Sequence, residues 1–182
     1  LLGNPDNELD KAGHGSAVAM AAAGLKAKGP LGEVQGMAPG AYLGIYKIFG
    51  GPNGDDNNSA MALKAIDDAV ADGMDVLNLS WGTNPQARPE YDPLALAVAN
   101  AAARGVQVVK SIGNYGPVRA SGSAPSSGAD VLAVGASWTD RIFATGIRLN
   151  DSIPVLGLPG TGPVPEQPVK AKLVDVIAFD SS

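Results

Sequence analysis

The chain has 182 residues, a formal net charge of −5 and no cysteine, which excludes disulfide bonds, thiol catalysis and thiolate metal sites. The acidic balance argues against a nucleic-acid partner, because the sequence has no basic stripe to displace counterions from phosphates. Hydrophobic residues make up 45% of the chain and aromatic residues only 5%, so we expect one globular domain, or one domain and part of another, with a small aliphatic core and no membrane span.

Helix and strand patterns alternate along most of the chain. Gly24, Gly73 and Gly105 are predicted to end three helices, and Asp92 followed by Pro93 is typical of a helix start. In chain order, we predict a helix at 14–24, a loop at 28–40, a strand at 41–48, a helix at 59–72, a strand at 74–79, a helix at 92–104 and strands at 106–109 and 131–134.

This order of elements predicts the α/β fold class, as a three-layer arrangement of a parallel sheet with helices on both faces. Ligands of such sheets bind beyond the carboxyl ends of the strands, which directs attention to the loops at 80–84 and 111–117. After residue 143, glycine and proline interrupt regular structure, and 169–174 partly alternates in polarity, as in a strand. We therefore expect one domain over 1–143 and the start of a β-rich module or linker over 144–182.

Two residues are candidates for catalytic chemistry. His14 is the only histidine and lies at a helix start between glycines, where an imidazole can act as general base and then general acid. Asn114 follows a strand within the segment GNYGP, where its amide can donate to a developing oxyanion. Taken alone, each has a plainer interpretation: a structural or surface histidine, and an ordinary turn.

Five segments together resemble subtilisin-like serine proteases, in the order that this family shows. They are GHGSAVA at 13–19, which resembles the histidine motif, GMAPGA at 36–41, GMDVLNLSWG at 73–82, which resembles the substrate-binding strand, SIGNYGP at 111–117, which resembles the oxyanion segment, and VLAVGAS at 131–137. The order of the segments makes the resemblance specific. It covers roughly residues 11–143 and identifies that region as part of a subtilisin-like fold.

The resemblance implies a serine endopeptidase that hydrolyses peptide bonds through a Ser/His/Asp triad. In that mechanism His14 is the general base and acid, and Asn114 is the oxyanion donor. The resemblance further implies a set of substrate-binding residues: Ser80, Trp81, Gly82, Ser111 and Gly113. Strand alternation predicts that Lys110 points away from a specificity pocket that Ser111 and Gly113 would wall, which leaves its charge without an assigned partner.

The other two members of the triad are expected outside this segment, which we therefore expect to be inactive alone. The family order is Asp, His, Ser, yet Asp6 and Asp10 lie in a polar, turn-rich stretch and are interpreted as solvated loop residues. Residues 121–126 lie where the family has a loop, so no serine there is assigned a catalytic role. The alternative is an inactive subtilase-like domain that keeps only the peptide groove. A nucleotide-binding domain is disfavoured, since no GxGxxG turn occurs.

No cofactor is expected for the chemistry. Many members of the family bind structural calcium, but the oxygen-rich loop at 53–58 lacks EF-hand spacing, so a solvated turn is predicted and no metal site is assigned. The expected partners are a polypeptide substrate and the remainder of the protease chain. Residues 141–182 are more faintly similar to the entry of an inserted protease-associated domain, and the family implies an extracellular or secreted location.

Overall fold

The computed structural model describes residues 9–29, 32–50, 59–82, 88–137, 145–148, 155–157, 167 and 169–170. Contacts divide the chain into two compact units, Leu1–Ala136 and Ser137–Ser182. The first unit thus ends a few residues before the predicted boundary at residue 143. The assignment of the two parts to a catalytic domain and an inserted module stays a prediction.

The first unit contains the three predicted helices and, of the four strands predicted there, those at 74–79, 106–109 and 131–134. Its elements are α1 (His14–Ala23), β1 (Ala27–Gly29), β2 (Gly32–Val34), α2 (Ser59–Ala71), β3 (Val76–Leu79), a 3-10 turn (Pro89–Tyr91), α3 (Pro93–Ala103), β4 (Gln107–Ser111) and β5 (Val131–Val134). The predicted α/β class with a parallel sheet is therefore confirmed.

Local sequence explains where α2 and α3 begin and end. Asp92 caps α3, because its Oδ1 accepts a hydrogen bond from the backbone N–H of Leu94 at 2.9 Å, and Pro93 occupies the first helical position. Gly73 and Gly105 follow the two helices with φ of 78° and 89°, a conformation that side chains other than glycine rarely adopt.

The parallel sheet has the strand order β3-β4-β5. Leu77 lies opposite Val108, which lies opposite Val131, so these residues share one face. Helices α2 and α3 pack on that face and form the main core, whose buried members are Ile66, Ala69, Leu77, Leu79, Val98, Ala101, Val106 and Val108. The opposite face is exposed at Val76, Leu132 and Val134.

Two predicted segments differ from the structure. Residues 41–49 form no strand, although Ile48 is buried in a cluster with Ala62 and Leu94. Tyr42, Leu43 and Ile45 of this segment are exposed, and the hydrogen-bonded ladder that a strand here would have to join is absent among the described residues. Conversely, the antiparallel pair β1–β2 occupies the start of the predicted loop at 28–40. Lys26, just before β1, forms an ion pair with Glu33 of β2 at 2.8 Å.

The second unit is described only in part. In the described part of this unit, strands β6 (Thr145–Ile147) and β7 (Val155–Gly157) pair in antiparallel fashion. Of the strand predicted at 169–174, residues 169–170 are not in a strand, and the others lie outside the described residues.

Candidate active site

His14 is the first residue of α1, and its imidazole reaches the end of β3. Its Nε2 lies 2.9 Å from the carbonyl oxygen of Ser80, 66 positions later in the chain. A carbonyl oxygen only accepts, so Nε2 carries the proton in this contact. The structure thus brings together a candidate catalytic residue and a candidate substrate-binding segment that are remote in sequence.

Asp10 supports the helix start that carries His14. Its carboxylate accepts hydrogen bonds from the backbone N–H groups of Ala12 at 3.1 Å, Gly13 at 2.7 Å and Ser16 at 2.7 Å. These bonds, led by that from Ser16, lower the pKa of Asp10 from 3.8 to about 2. Asp10 is exposed, as expected of a loop residue, but it is bound to the backbone around His14 and not merely solvated. The sequence DKAGHGS at 10–16 contains a signal for this role, because a carboxylate shortly before a helix often accepts hydrogen bonds from the first N–H groups of that helix.

The carboxyl end of α1 is held by the segment at 36–38. The backbone N–H groups of Gly36, Met37 and Ala38 donate to carbonyl oxygens of residues 24, 21 and 22 at 2.8, 3.1 and 2.8 Å. Gly36 approaches so closely that an added Cβ would lie 2.3 Å from the backbone nitrogen of Gly24. Carbonyls at the end of α1 are thereby paired, and the helix that presents His14 is fixed at both ends.

The ends of β3 and β4 bring the other candidate residues to the same edge of the sheet. Leu79 lies opposite Lys110 in the parallel pair. The next residue of each strand, Ser80 and Ser111, therefore lies at the same edge of the sheet. Ser80 is fixed further by its own neighbour, since the Asn78 side-chain amide donates to the Ser80 hydroxyl at 2.9 Å. Asn114 comes three residues after the last residue of β4 and is exposed. His14 and Asn114 are therefore both attached to the carboxyl edge of the sheet.

The two candidate substrate-binding glycines flank one buried serine. A Cβ built on Gly82 would lie 2.6 Å from Ser123 Oγ, and one built on Gly113 would lie 2.7 Å from it. The Ser123 N–H also donates to the Ile112 carbonyl at 2.8 Å, which attaches the 121–126 loop to the oxyanion segment. Only glycine fits at either position. The sequence analysis gave Ser123 no role, and no local pattern indicated that it would pack against both glycines.

Trp81 differs from the other candidates on the 80–82 segment. Its side chain is half-buried and packs against both hydrophobic clusters of the first unit. Its indole thus anchors the segment to the core, while Gly82 beside it is exposed. The backbone of this segment, more than the Trp81 ring, is the part available to a ligand.

Lys110 places a buried ammonium group beneath these segments. It leaves β4 on the face opposite Ser111, as strand alternation predicts, but its Nζ turns back toward the sheet edge instead of away from the predicted pocket. Nζ donates to the Ser111 carbonyl, to Ser111 Oγ at 3.3 Å and to Ser123 Oγ at 3.2 Å. The lysine is fully buried, and burial lowers its pKa from 10.5 to about 8.

Among the residues that the structure describes, no three acidic, histidine or cysteine side chains cluster as metal ligands would. The oxygen-rich loop at 53–58 lies outside the described residues. None of the helices in the described part is both long and apolar enough to cross a membrane.

Comparison with known proteins confirms the resemblance to subtilisin-like proteases. The profile of the subtilase family matches residues 2–170. Subtilisin-like protease SBT2.1 of Arabidopsis thaliana is 34% identical over 181 residues, which cover 91% of this chain and 20% of that protein. Subtilisin-like protease SBT3.9 of the same plant is 36% identical over 166 residues, covering 85% and 21%. Among solved structures, the prenylagaramide maturation protease PagA aligns at 25% identity with a TM-score of 0.40, covering 47% of this chain and 30% of that one.

The alignments to these relatives cover most of this chain but only a small part of each relative. The chain spans only about a fifth of the length of these relatives, whereas the family profile covers nearly all of the chain. On that profile, this protein belongs to the subtilase family.

Proposed function

We propose that the whole protein is a serine endopeptidase and that this chain supplies its general base and its oxyanion donor. Family membership together with the contact between His14 and Ser80 supports this proposal. That contact brings the histidine motif to the substrate-binding segment at the edge of the sheet, where the scissile bond would lie.

The hydrogen bond between His14 and Ser80 determines what must change before His14 can act as a general base. With the proton on Nε2, the ring donates to Ser80 and has no lone pair there to accept a proton from a serine. A carboxylate that accepts from Nδ1–H shifts the proton to Nδ1 and frees Nε2. An aspartate elsewhere in the protein would therefore convert His14 from a donor into a base, and would then stabilise the imidazolium.

Asn114 and the 80–82 segment act on the substrate. The exposed amide of Asn114 donates to the oxyanion of the tetrahedral intermediate, where a donor lowers the barrier because charge develops there. The backbone at Ser80 to Gly82 pairs with an extended peptide as an added strand. No cofactor takes part in this chemistry. We place the protein outside the cell and leave structural calcium as a separate expectation of the family.

Labelling by a serine-directed fluorophosphonate probe tests the proposal. We expect the full-length protein to react and the isolated 182-residue chain to remain unlabelled, since the nucleophile lies elsewhere. In the full-length protein, Asn114→Ala should lower kcat by roughly 100- to 1,000-fold, the loss known for the same donor in subtilisin. Asn100→Ala, on the exposed side of α3, is the matched control and should leave kcat unchanged.

The outcomes also separate the two readings of the family resemblance. A full-length protein that binds extended peptides but never reacts with the probe would be an inactive relative, and the enzyme proposal would fail. Labelling of the isolated chain would instead show that the nucleophile lies within residues 1–182.

A further inference from the structure

We propose that Lys110 makes this site select peptides with an acidic residue immediately before the scissile bond. The proposal rests on the proposed protease function and adds the substrate class. Three observations support it: the location of Nζ, the lack of a countercharge among the described residues, and the long hydroxyl contacts of Nζ that a carboxylate can replace.

The location of Nζ places a cation at the floor of the substrate-binding segments. A Cβ built on Gly82 would lie 3.0 Å from Nζ, so the exposed backbone of Gly82 passes directly over the ammonium group. The Ser123 hydroxyl, which Gly82 and Gly113 enclose, is a hydrogen-bond partner of the same Nζ at 3.2 Å. A cation thus lies one layer below the backbone that we assign to substrate binding.

Among the described residues, the Lys110 ammonium group has neutral acceptors but no countercharge. Its partners are the Ser111 carbonyl, the Ser111 hydroxyl and the Ser123 hydroxyl. In the part of the chain that the structure describes, the ion pairs join Lys26 to Glu33 and Lys64 to Asp68, and no carboxylate pairs with Lys110. A fully buried lysine without an opposite charge is uncommon, because burial removes hydration that neutral acceptors replace only in part.

A substrate carboxylate would complete this arrangement. The two hydroxyl contacts of Nζ, at 3.2 and 3.3 Å, are longer than the 2.7–2.9 Å of a typical ammonium–carboxylate hydrogen bond, so they are readily exchanged. The hydroxyls of Ser111 and Ser123 would then turn and donate to the same carboxylate. The Ser123 hydroxyl fills the space between Gly82 and Gly113, so the substrate carboxylate reaches Nζ by displacing this hydroxyl from it.

Peptide substrates that differ only in the residue before the scissile bond test the proposal on the full-length protein. We expect kcat/KM for glutamate to exceed that for the isosteric glutamine by roughly 10-fold or more, the difference between a charged and a neutral hydrogen bond. Lys110→Met should abolish this ratio while cleavage of the glutamine peptide persists. Lys64→Met, which removes an exposed lysine on α2, is the matched control and should keep the ratio.

A second variant keeps the test decisive if Lys110→Met does not fold. Ser123→Ala removes a hydroxyl but not the charge, so we expect a reduced glutamate preference that remains above one. Equal cleavage of glutamate and glutamine peptides by the wild-type protein would overturn the proposal and leave the protease function intact. So would a glutamate preference that survives in Lys110→Met. If no peptide is cleaved and the fluorophosphonate probe does not react, the protease function itself fails, and the substrate proposal with it.

Discussion

Burial of the Lys110 ammonium predicts that the folded protein gains stability as the pH rises above 7. The folded-state pKa is lowered from 10.5 to about 8 by burial. Between these two values the unfolded chain still holds the proton that the folded chain has lost. The unfolded state therefore binds more protons, and the free energy of unfolding rises with pH.

The size of the effect follows from the two pKa values. A lowering from 10.5 to about 8 corresponds to about 3 kcal/mol of destabilisation while the lysine is charged in both states. About 2 kcal/mol of this is recovered between pH 7 and pH 9.5. Tyr46 sets the upper limit of the measurement, because its hydrogen bond to Asp72 raises the pKa of the phenol above its usual 10.0 and adds an opposite trend at higher pH.

Urea unfolding of the full-length protein at pH 7.0, 8.5 and 9.5 measures this gain. Lys110→Met is the reference, so that titrations shared by both proteins cancel, and both carry His14→Ala to prevent self-digestion. We expect the stability of the protein with Lys110 to rise relative to Lys110→Met by about 2 kcal/mol over this range. If the two proteins show parallel pH profiles, the ammonium group is hydrated in the folded state and the reasoning is wrong.

Two further predictions concern the helix that carries His14. Gly36→Ala should destabilise the protein by roughly 1–3 kcal/mol in the same unfolding assay, since the new methyl group would overlap backbone atoms of α1. Gly40→Ala, where nothing lies within 4 Å of an added Cβ, is its control. Asp10→Ala should lower kcat/KM by up to roughly 100-fold through misplacement of His14, with Asp67→Ala as an exposed control. In the wild type, the lowered Asp10 pKa implies that stability falls as the pH drops from about 4 to 2, and a flat acid profile would contradict this role.

Local signals in the sequence were sufficient for the helices and for the edge of the sheet where the site lies. The Asp92–Pro93 start and the glycines at 73 and 105 have mechanisms that act over a few residues, so they can be recognised without tertiary structure. The same holds for the apolar runs of β3 and β4, whose parallel pairing follows from the intervening helix. The shared edge of Ser80 and Ser111 then follows from topology alone.

The remaining features depend on contacts that no local pattern encodes. Whether 41–48 pairs as a strand depends on a partner elsewhere in the chain, so the Tyr- and Ile-rich pattern that predicted a strand could not establish its hydrogen bonding. Alternation along β4 correctly assigned Lys110 to the face opposite Ser111. It could not give the path of a side chain with four rotatable bonds, whose Nζ ends at Ser123, 13 residues later.

Lys110 also allows a structural role to be distinguished from a functional one. A lysine kept only for packing or hydrogen bonding should cost stability when it is replaced, because its loss leaves the Ser111 carbonyl without this donor. A charge kept for substrate recognition has the opposite signature, since replacing a buried ion with an apolar side chain of similar length often preserves or raises stability. Lys110→Met should therefore fold at least as stably at pH 7 while it loses the preference for acidic peptides. Loss of stability together with an unchanged substrate preference would assign Lys110 to the core and not to the substrate.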